Sequence, residues 1–291
     1  MSGMLRTFAA SVLICSLGAA ELPIEGIAGV GFRVRDLAEA RAFYSFVLGF
    51  EEAFRVLSPG DASVHYFKVN DRQFIEITAD LESDNEDRLR RIGIETPDAM
   101  ALHRRLVERG LEPSPVSRDP DGNRSFTLAD PDGHLLRFVE YLPGSPAFES
   151  RGRNLSERRI STHLRHVGIA VADEARAMAF YRDKLGFTEI WRGGSEPGRT
   201  QWVNLRMPGA RGDYIEFMLH TGRPTLDQLG SMHHICLEVP DIQEAWRAVR
   251  DRGVADTDRF RPRIGRIRKW LFNLFDADGT RTELMEPNTV D

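Results

Sequence analysis

Four times along the chain an alternating or apolar run leads to an aspartate, then to a helical pattern that stops at a glycine. The run GVGFRVRDLAEARAFYSFVLGF, Gly29 to Phe50, returns without a gap as HVGIAVADEARAMAFYRDKLGF, His166 to Phe187. A second pair interleaves with it: RIGIETPDAMALHRRLVERGL, from Arg91, is matched by HICLEVPDIQEAWRAVRDRGV, from His234. Gly49, Gly110, Gly186 and Gly253 stand where the four helices must stop and a left-handed residue carries no Cβ penalty. Short strand-like runs follow, such as VHYFKV and QFIEIT in the first unit and TQWVNLRM and DYIEFML in the third. The second and fourth units share the turns ADPDGHLLRF and DADGTRTELM. This pattern predicts an α+β fold of four βαβββ units.

Paired two and two, the units make two domains, at 21–142 and 162–291. The stretch 143–161, rich in Pro, Gly, Ser and charge, is the expected linker. The length of 291 residues agrees, since single cores stop growing near that size. With 41% hydrophobic and 29% charged residues, wholesale disorder and a polytopic membrane protein are excluded. A net charge of -5 supplies no basic field for nucleic acid. Residues 1–20 have the layout of a secretory signal peptide: Arg6, an apolar run from Phe8 to Leu17, then Gly18, Ala19 and Ala20 before Glu21. The expectation is export to the periplasm or the medium, without stable membrane insertion. Cys15 would leave with that segment, so Cys236 stands alone and no disulfide framework is expected.

The F-Y-x-x-x-L-G-F helix end seen twice, the two D-x-D-G turns and the four-unit count resemble the vicinal oxygen chelate superfamily. That group includes glyoxalase I, extradiol dioxygenases, methylmalonyl-CoA epimerase and the bleomycin- and fosfomycin-resistance proteins. The resemblance spans nearly the whole chain after residue 20 and implies two tandem glyoxalase-like domains with half-open barrel sheets. It places metal ligands on the first and last strands of each unit. In the second half those places hold His166, Glu216, His234 and Glu283. Two imidazoles and two carboxylates suit one divalent ion such as Zn, Ni, Fe, Mn or Co. Glu216 and Glu283 also sit among apolar neighbours, where an unpaired carboxylate is costly. In the first half the same places hold Gly29, Glu76, Arg91 and Arg137, which predicts a domain without metal. Arg91 and Arg137 would there either neutralise Glu76 or bind an anion. Of the adjacent His233 and His234, only one can face the cleft, and the match with Arg91 favours His234.

The His, Glu, His, Glu set resembles bacterial glyoxalase I, which implies a lyase or isomerase. There the metal holds two neighbouring substrate oxygens and stabilises an enediolate, with Glu283 or Glu216 as the base. His220, at the end of the strand carrying Glu216, is a candidate proton carrier near the metal or else a surface residue. Two alternatives stay open. A type I extradiol dioxygenase would use His166, His234 and Glu283 for iron, with His220 as its catalytic His. Against it, Asn273 occupies that family's Tyr position and Glu216 is a surplus carboxylate. A non-catalytic binding or resistance protein would sequester a small molecule. The basic segment Arg259 to Trp270 reads as a lid attracting an anionic group or as a solvated loop. Trp191, Trp202, Phe272 and Phe275 are candidates for an apolar pocket or for ordinary core. The partners expected are a small-molecule substrate and no nucleic acid, with a homodimer left open.

Overall fold

The computed structural model describes residues 21–57, 63–220, 225, 229–230, 232–255 and 261–291. The expected signal peptide with Cys15 lies outside these residues, as do Arg259 and Phe260 of the basic segment. The first unit comprises β1 (Gly26–Arg33), α1 (Leu37–Arg41), β2 (Glu51–Leu57), β3 (Ser63–Lys68) and β4 (Phe74–Thr78). The second comprises β5 (Leu89–Glu95), α2 (Ala99–Glu108), β6 (Ser117–Arg118), β7 (Arg124–Ala129) and β8 (Leu135–Glu140). After the short helix α3 (Pro146–Glu149), the third runs through β9 (His163–Val171), α4 (Glu174–Met178), β10 (Thr188–Gly193), β11 (Trp202–Arg206) and β12 (Tyr214–Leu219). The fourth has β13 (His234–Glu238), α5 (Ile242–Asp251), β14 (Arg263–Ile264), β15 (Lys269–Phe275) and β16 (Arg281–Thr289).

Each half is one eight-stranded half-barrel, in the orders β2-β3-β4-β1-β5-β8-β7-β6 and β10-β11-β12-β9-β13-β16-β15-β14. The first strands of paired units meet antiparallel at the centre, β1 on β5 and β9 on β13, and each pairs parallel with the last strand of its own unit. This is the expected fold of two tandem glyoxalase-like domains. The local signals act as anticipated. Asp36, Asp98, Asp173 and Asp241 are N-caps whose carboxylates accept from backbone N–H groups of the first turn. The two F-Y-x-x-x-L-G-F segments widen into π-helical turns, Ala42–Val47 and Ala179–Lys184, and end at Gly49 and Gly186 with φ of 78° and 76°.

One face of each sheet packs on the helices, and the buried residues of both halves form one continuous hydrophobic core. Two reciprocal contacts cross between the halves inside it. The Tyr44 hydroxyl donates to Asp276 Oδ2 at 3.0 Å, and the Tyr181 hydroxyl donates to Asp130 Oδ2 at 2.9 Å. These join the repeated Y of the helix motif to the repeated D of the D-x-D-G turn, each in the opposite half. The other oxygen of each aspartate closes its own turn: Asp276 Oδ1 accepts from Asp278 N and Thr280 N, and Asp130 Oδ1 accepts from Asp132 N and His134 N. Residues 143–161 are tied to the first half. Ser145 caps α3, and the buried Lys68 ammonium donates to the carbonyls of Ser150 and Arg153. Among the described residues no helix is long and apolar enough to cross a membrane.

Burial pushes the Asp276 carboxyl up to about 6. Asp130 feels the same burial, but its Oδ2 also faces His134 Nδ1 at 2.7 Å, and its carboxyl is held below the usual range. Tyr44→Phe is therefore expected to destabilise the protein by about 1–3 kcal/mol in urea unfolding, and Tyr181→Phe by less, because Asp130 keeps its imidazole partner. Equal midpoints for wild type and Tyr44→Phe would show that the contact contributes nothing.

Candidate metal centre

The period of two along a strand decides which residues meet in the concave face. On β9, His166 and Gly168 share that face. Across the register, Glu216 of β12 lies beside Gly168, His234 of β13 opposes Gly168, and Cys236 opposes His166. On β16, Arg281 pairs with His234 and Glu283 with Cys236. The outer strands add Asn204 opposite Glu216 and Asn273 opposite Glu283. The shared V-G of the repeated first strands has a steric reason here. A Cβ on Gly168 would lie 1.9 Å from Cε1 of the His234 ring, so only glycine leaves room for that imidazole.

All four sequence-derived positions converge. His166 Nε2 lies 3.2 Å from His234 Nε2, 3.8 Å from Glu216 Oε2 and 3.9 Å from Glu283 Oε1, and His234 Nε2 is 3.3 Å from Glu216 Oε2. The donor atoms form two overlapping groups that share His166: His166, Glu216 and His234, and His166, Cys236 and Glu283. Burial lowers His166 to about 3 and His234 well below its ordinary value, so both imidazoles are neutral at physiological pH. His234 Nδ1 donates to the Met232 carbonyl at 2.7 Å, which leaves its Nε2 lone pair for the site. The Glu283 carboxyl is pushed up to about 7, first by burial, with Arg281 opposing and the Glu216 charge adding to the rise. His166 Nδ1, both polar atoms of Asn204 and Asn273 Oδ1 are buried without a hydrogen-bond partner. Neutral imidazoles, two carboxylates and orphaned polar atoms together fit a divalent cation.

Three residues at this site were not singled out by sequence reasoning. Arg281 Nη2 lies 2.7 and 2.8 Å from the two ring nitrogens of His234, so the chain places its own cation against that imidazole. Coordination by His234 requires that guanidinium to move. Cys236, wholly buried, sits beside Glu283, and burial keeps its thiol protonated. Asn204 flanks Glu216. Counting by two from His234, Glu283 or across the strand from Glu216 would have found them all. His220 needs a correction. It lines a different pocket between the two halves, with His134 and His233, and is not among the residues lining the concave cleft. The chain turns at the end of β12 and carries His220 away from the face occupied by Glu216.

In the first half Arg91 Nε donates to Glu76 Oε2 at 2.7 Å, and its Nη2 is 3.3 Å from the Tyr66 hydroxyl. Arg137 Nη1 is 3.9 Å from Glu76, but the closer partners of this guanidinium are Asp119 and Asp121, at 2.8 and 2.5 Å. The arginines thus neutralise carboxylates of their own half. Above the second-half cluster opens a cleft of about 660 Å³. Trp191 and Trp202 line it, as do Arg263, Arg266 and Arg268 of the basic segment, and Arg266 is held by the Ser195 carbonyl at 3.0 Å. Phe272 belongs to the core instead, and Phe275 is not among the lining residues.

These groups oppose one another as pH falls in metal-free protein. The unfolded chain protonates its histidines near 6.5 but folded His166 waits until about 3, so stability is lost as pH drops through that window. Glu283 does the reverse: its folded carboxyl takes a proton near 7 and the unfolded one near 4.5, so acidification adds stability between them. Glu283→Gln removes the compensating contribution. Its melting temperature is expected to fall more steeply than that of wild type between pH 7 and pH 5. Parallel profiles would contradict the assignment.

The fold has counterparts among known proteins. The family description "Glyoxalase/Bleomycin resistance protein/Dioxygenase superfamily" matches residues 26–138 and 163–284. A bleomycin resistance protein of Klebsiella pneumoniae is 32% identical over 114 residues, 37% of this chain and 79% of its own length. An ethylmalonyl-CoA/methylmalonyl-CoA epimerase of Cereibacter sphaeroides is 32% identical over 123 residues, 40% of this chain and 89% of its own. Solved structures share the fold. The Mn(II)-bound glyoxalase from Novosphingobium aromaticivorans superposes with a TM-score of 0.65 at 19% identity, covering 91% of this chain and 82% of its own. The 2,3-dioxygenase LapB from Pseudomonas sp. KL28 gives 0.64 at 16% identity, covering 92% and 94%. With both halves matched, the chain belongs to the glyoxalase/bleomycin resistance protein/dioxygenase superfamily.

Proposed function

We propose that the chain is an exported, divalent-metal-dependent lyase or isomerase of the glyoxalase I type, acting on a small molecule through two adjacent oxygens. The observation that carries this reading is the convergence of two neutral imidazoles and two carboxylates, with His166, Glu216 and Glu283 lining a cleft large enough for a small substrate and His234 buried behind them. His166, His234 and Glu216 would hold the ion. When bound, the cation supplies Lewis acidity to the substrate oxygens. Glu283, buried and held near neutrality, is the group suited to taking a proton from one carbon and returning it to the next. Trp191 and Trp202 exclude water from one wall, and the arginines of 263–268 draw in an anionic group. The similarity to an epimerase, named for a reaction that also needs proton transfer at carbon, supports this choice.

Ring cleavage would take iron on His166, His234 and Glu283, a two-His, one-carboxylate set. It leaves Glu216 without a purpose although that carboxylate approaches both imidazoles, and its acid–base histidine would have to be His220, which lines the other pocket. Sequestration, suggested by the bleomycin resistance relative, leaves the ligand set unexplained.

The test pairs turnover of hemithioacetals and hydroxy-carbonyl compounds under Ni(II), Zn(II) or Mn(II) with oxygen uptake on catechols under Fe(II). Metal-dependent isomerisation is expected, reduced roughly 100-fold or more in Glu283→Gln with metal content unchanged. Oxygen uptake with ring cleavage, or stoichiometric ligand binding without turnover in either assay, would overturn the reading. Export predicts a mature amino terminus at Glu21.

A further inference from the structure

The two histidines that open β13 face opposite sides of the strand. His234 enters the concave cluster, whereas His233 points into a pocket of about 520 Å³ between the halves, lined also by Asp87, Asp132, His134 and His220. There His233 meets His134 of the first half, Nε2 to Nε2 at 3.0 Å, with the rings at 88°. Each ring is gripped from behind. His134 Nδ1 lies 2.7 Å from Asp130 Oδ2, and His233 Nδ1 lies 2.9 Å from Asp87 Oδ1.

A carboxylate only accepts, so each Nδ1 carries a hydrogen, and with both rings neutral each Nε2 presents its lone pair to the other. Two lone pairs at that distance, on rings that are nearly buried, repel unless a proton or a metal ion lies between them. Imidazoles fixed through Nδ1 by a carboxylate, with Nε2 converging on one point, form the arrangement that holds zinc-class ions. Two nitrogens on a tetrahedral zinc lie about 3.3 Å apart, a few tenths of an ångström from the separation found here.

The pseudo-symmetric place shows that the scaffold has no need of this pair. In the second D-x-D-G turn Thr280 replaces His134, accepting the same turn geometry through its N–H to Asp276. At the start of β5, Arg90 replaces His233 and donates to Thr78 Oγ1 at 2.8 Å. The turn and the strand form equally well without histidine.

We propose that His134 and His233 form a second divalent-cation site, of zinc type, bridging the two halves and distinct from the concave cluster. Asp130 and Asp87 orient the ligands, and further coordination positions fall to water or to side chains of the pocket. Because Asp130 also receives the Tyr181 hydroxyl, the site is built onto one of the two contacts that join the halves.

Full-length protein is stripped with chelator and dialysed against micromolar zinc, and zinc per chain is counted. In a His166→Asn background, which disables the concave cluster, one equivalent is expected to remain and to disappear on adding His134→Asn or His233→Asn. That zinc should also raise the melting temperature of the His166→Asn protein and leave that of the double variant unchanged. Zinc content insensitive to His134→Asn in both backgrounds would overturn the site, the two rings then sharing only a proton. If instead the concave reading fails, His166→Asn changes nothing while His134→Asn still removes an equivalent. Should the variants not fold, zinc-edge X-ray absorption of the His166→Asn protein decides. A shell of two imidazoles supports the site, and the lack of one refutes it.

Discussion

A largely buried concave sheet face tolerates charge only where opposite charge is held within bonding reach, because an uncompensated ion there is far more costly than on the surface. Both halves of this chain place ionisable side chains on that face, and they balance it differently. In the first half the chain's own guanidinium groups supply the compensation: Arg91 faces Glu76, and Arg137 faces Asp119 and Asp121. In the second half the same strand positions hold two histidines and a second glutamate, with Arg281 as the cation that lies against them. Two imidazoles that burial keeps neutral contribute no positive charge. The second half thus gathers two imidazoles and two carboxylates around one guanidinium, a donor set of the kind that suits a divalent cation.

The scaffold that holds this arrangement is a pair of half-barrels clasped by two tyrosine–aspartate contacts across a common core. Those contacts fix the D-x-D-G turns that precede β8 and β16, and β16 carries Arg281 and Glu283. The helix motif of one half therefore braces the turn that leads into β8 or β16 of the other. The clasp also explains why two units as different in chemistry as the two halves keep the same tyrosine, aspartate and glycine. These residues serve the fold, while the positions facing the cleft are free to diverge.

Much of this was legible in the sequence. The repeat gave the unit boundaries, the aspartate caps and the glycine stops, because each rests on local backbone geometry. The family resemblance pointed to His166, Glu216, His234 and Glu283, and alignment of the halves added, by contrast, the arginines of the first half. Arg281, Cys236 and Asn204 escaped, since a search for metal ligands passes over residues that lie two places along or one strand across. The position of His220 escaped because one turn of the chain at a strand end reverses which side a residue faces. Contacts of high sequence separation, such as Tyr44 with Asp276 or His134 with His233, leave no local periodicity to detect. The supposed linker was read from composition alone, and its tether to Lys68 depends on a buried ammonium far away in the sequence.

The most direct measurement is a crystal of the protein equilibrated with Mn(II) and recorded for anomalous scattering. A peak is expected at the His166 and His234 Nε2 atoms and the Glu216 carboxylate, with the Glu283 carboxylate beside it, the Arg281 guanidinium withdrawn from the His234 ring and no peak between Arg91 and Arg137. A concave face without a peak, and with Arg281 still seated against His234, would contradict it.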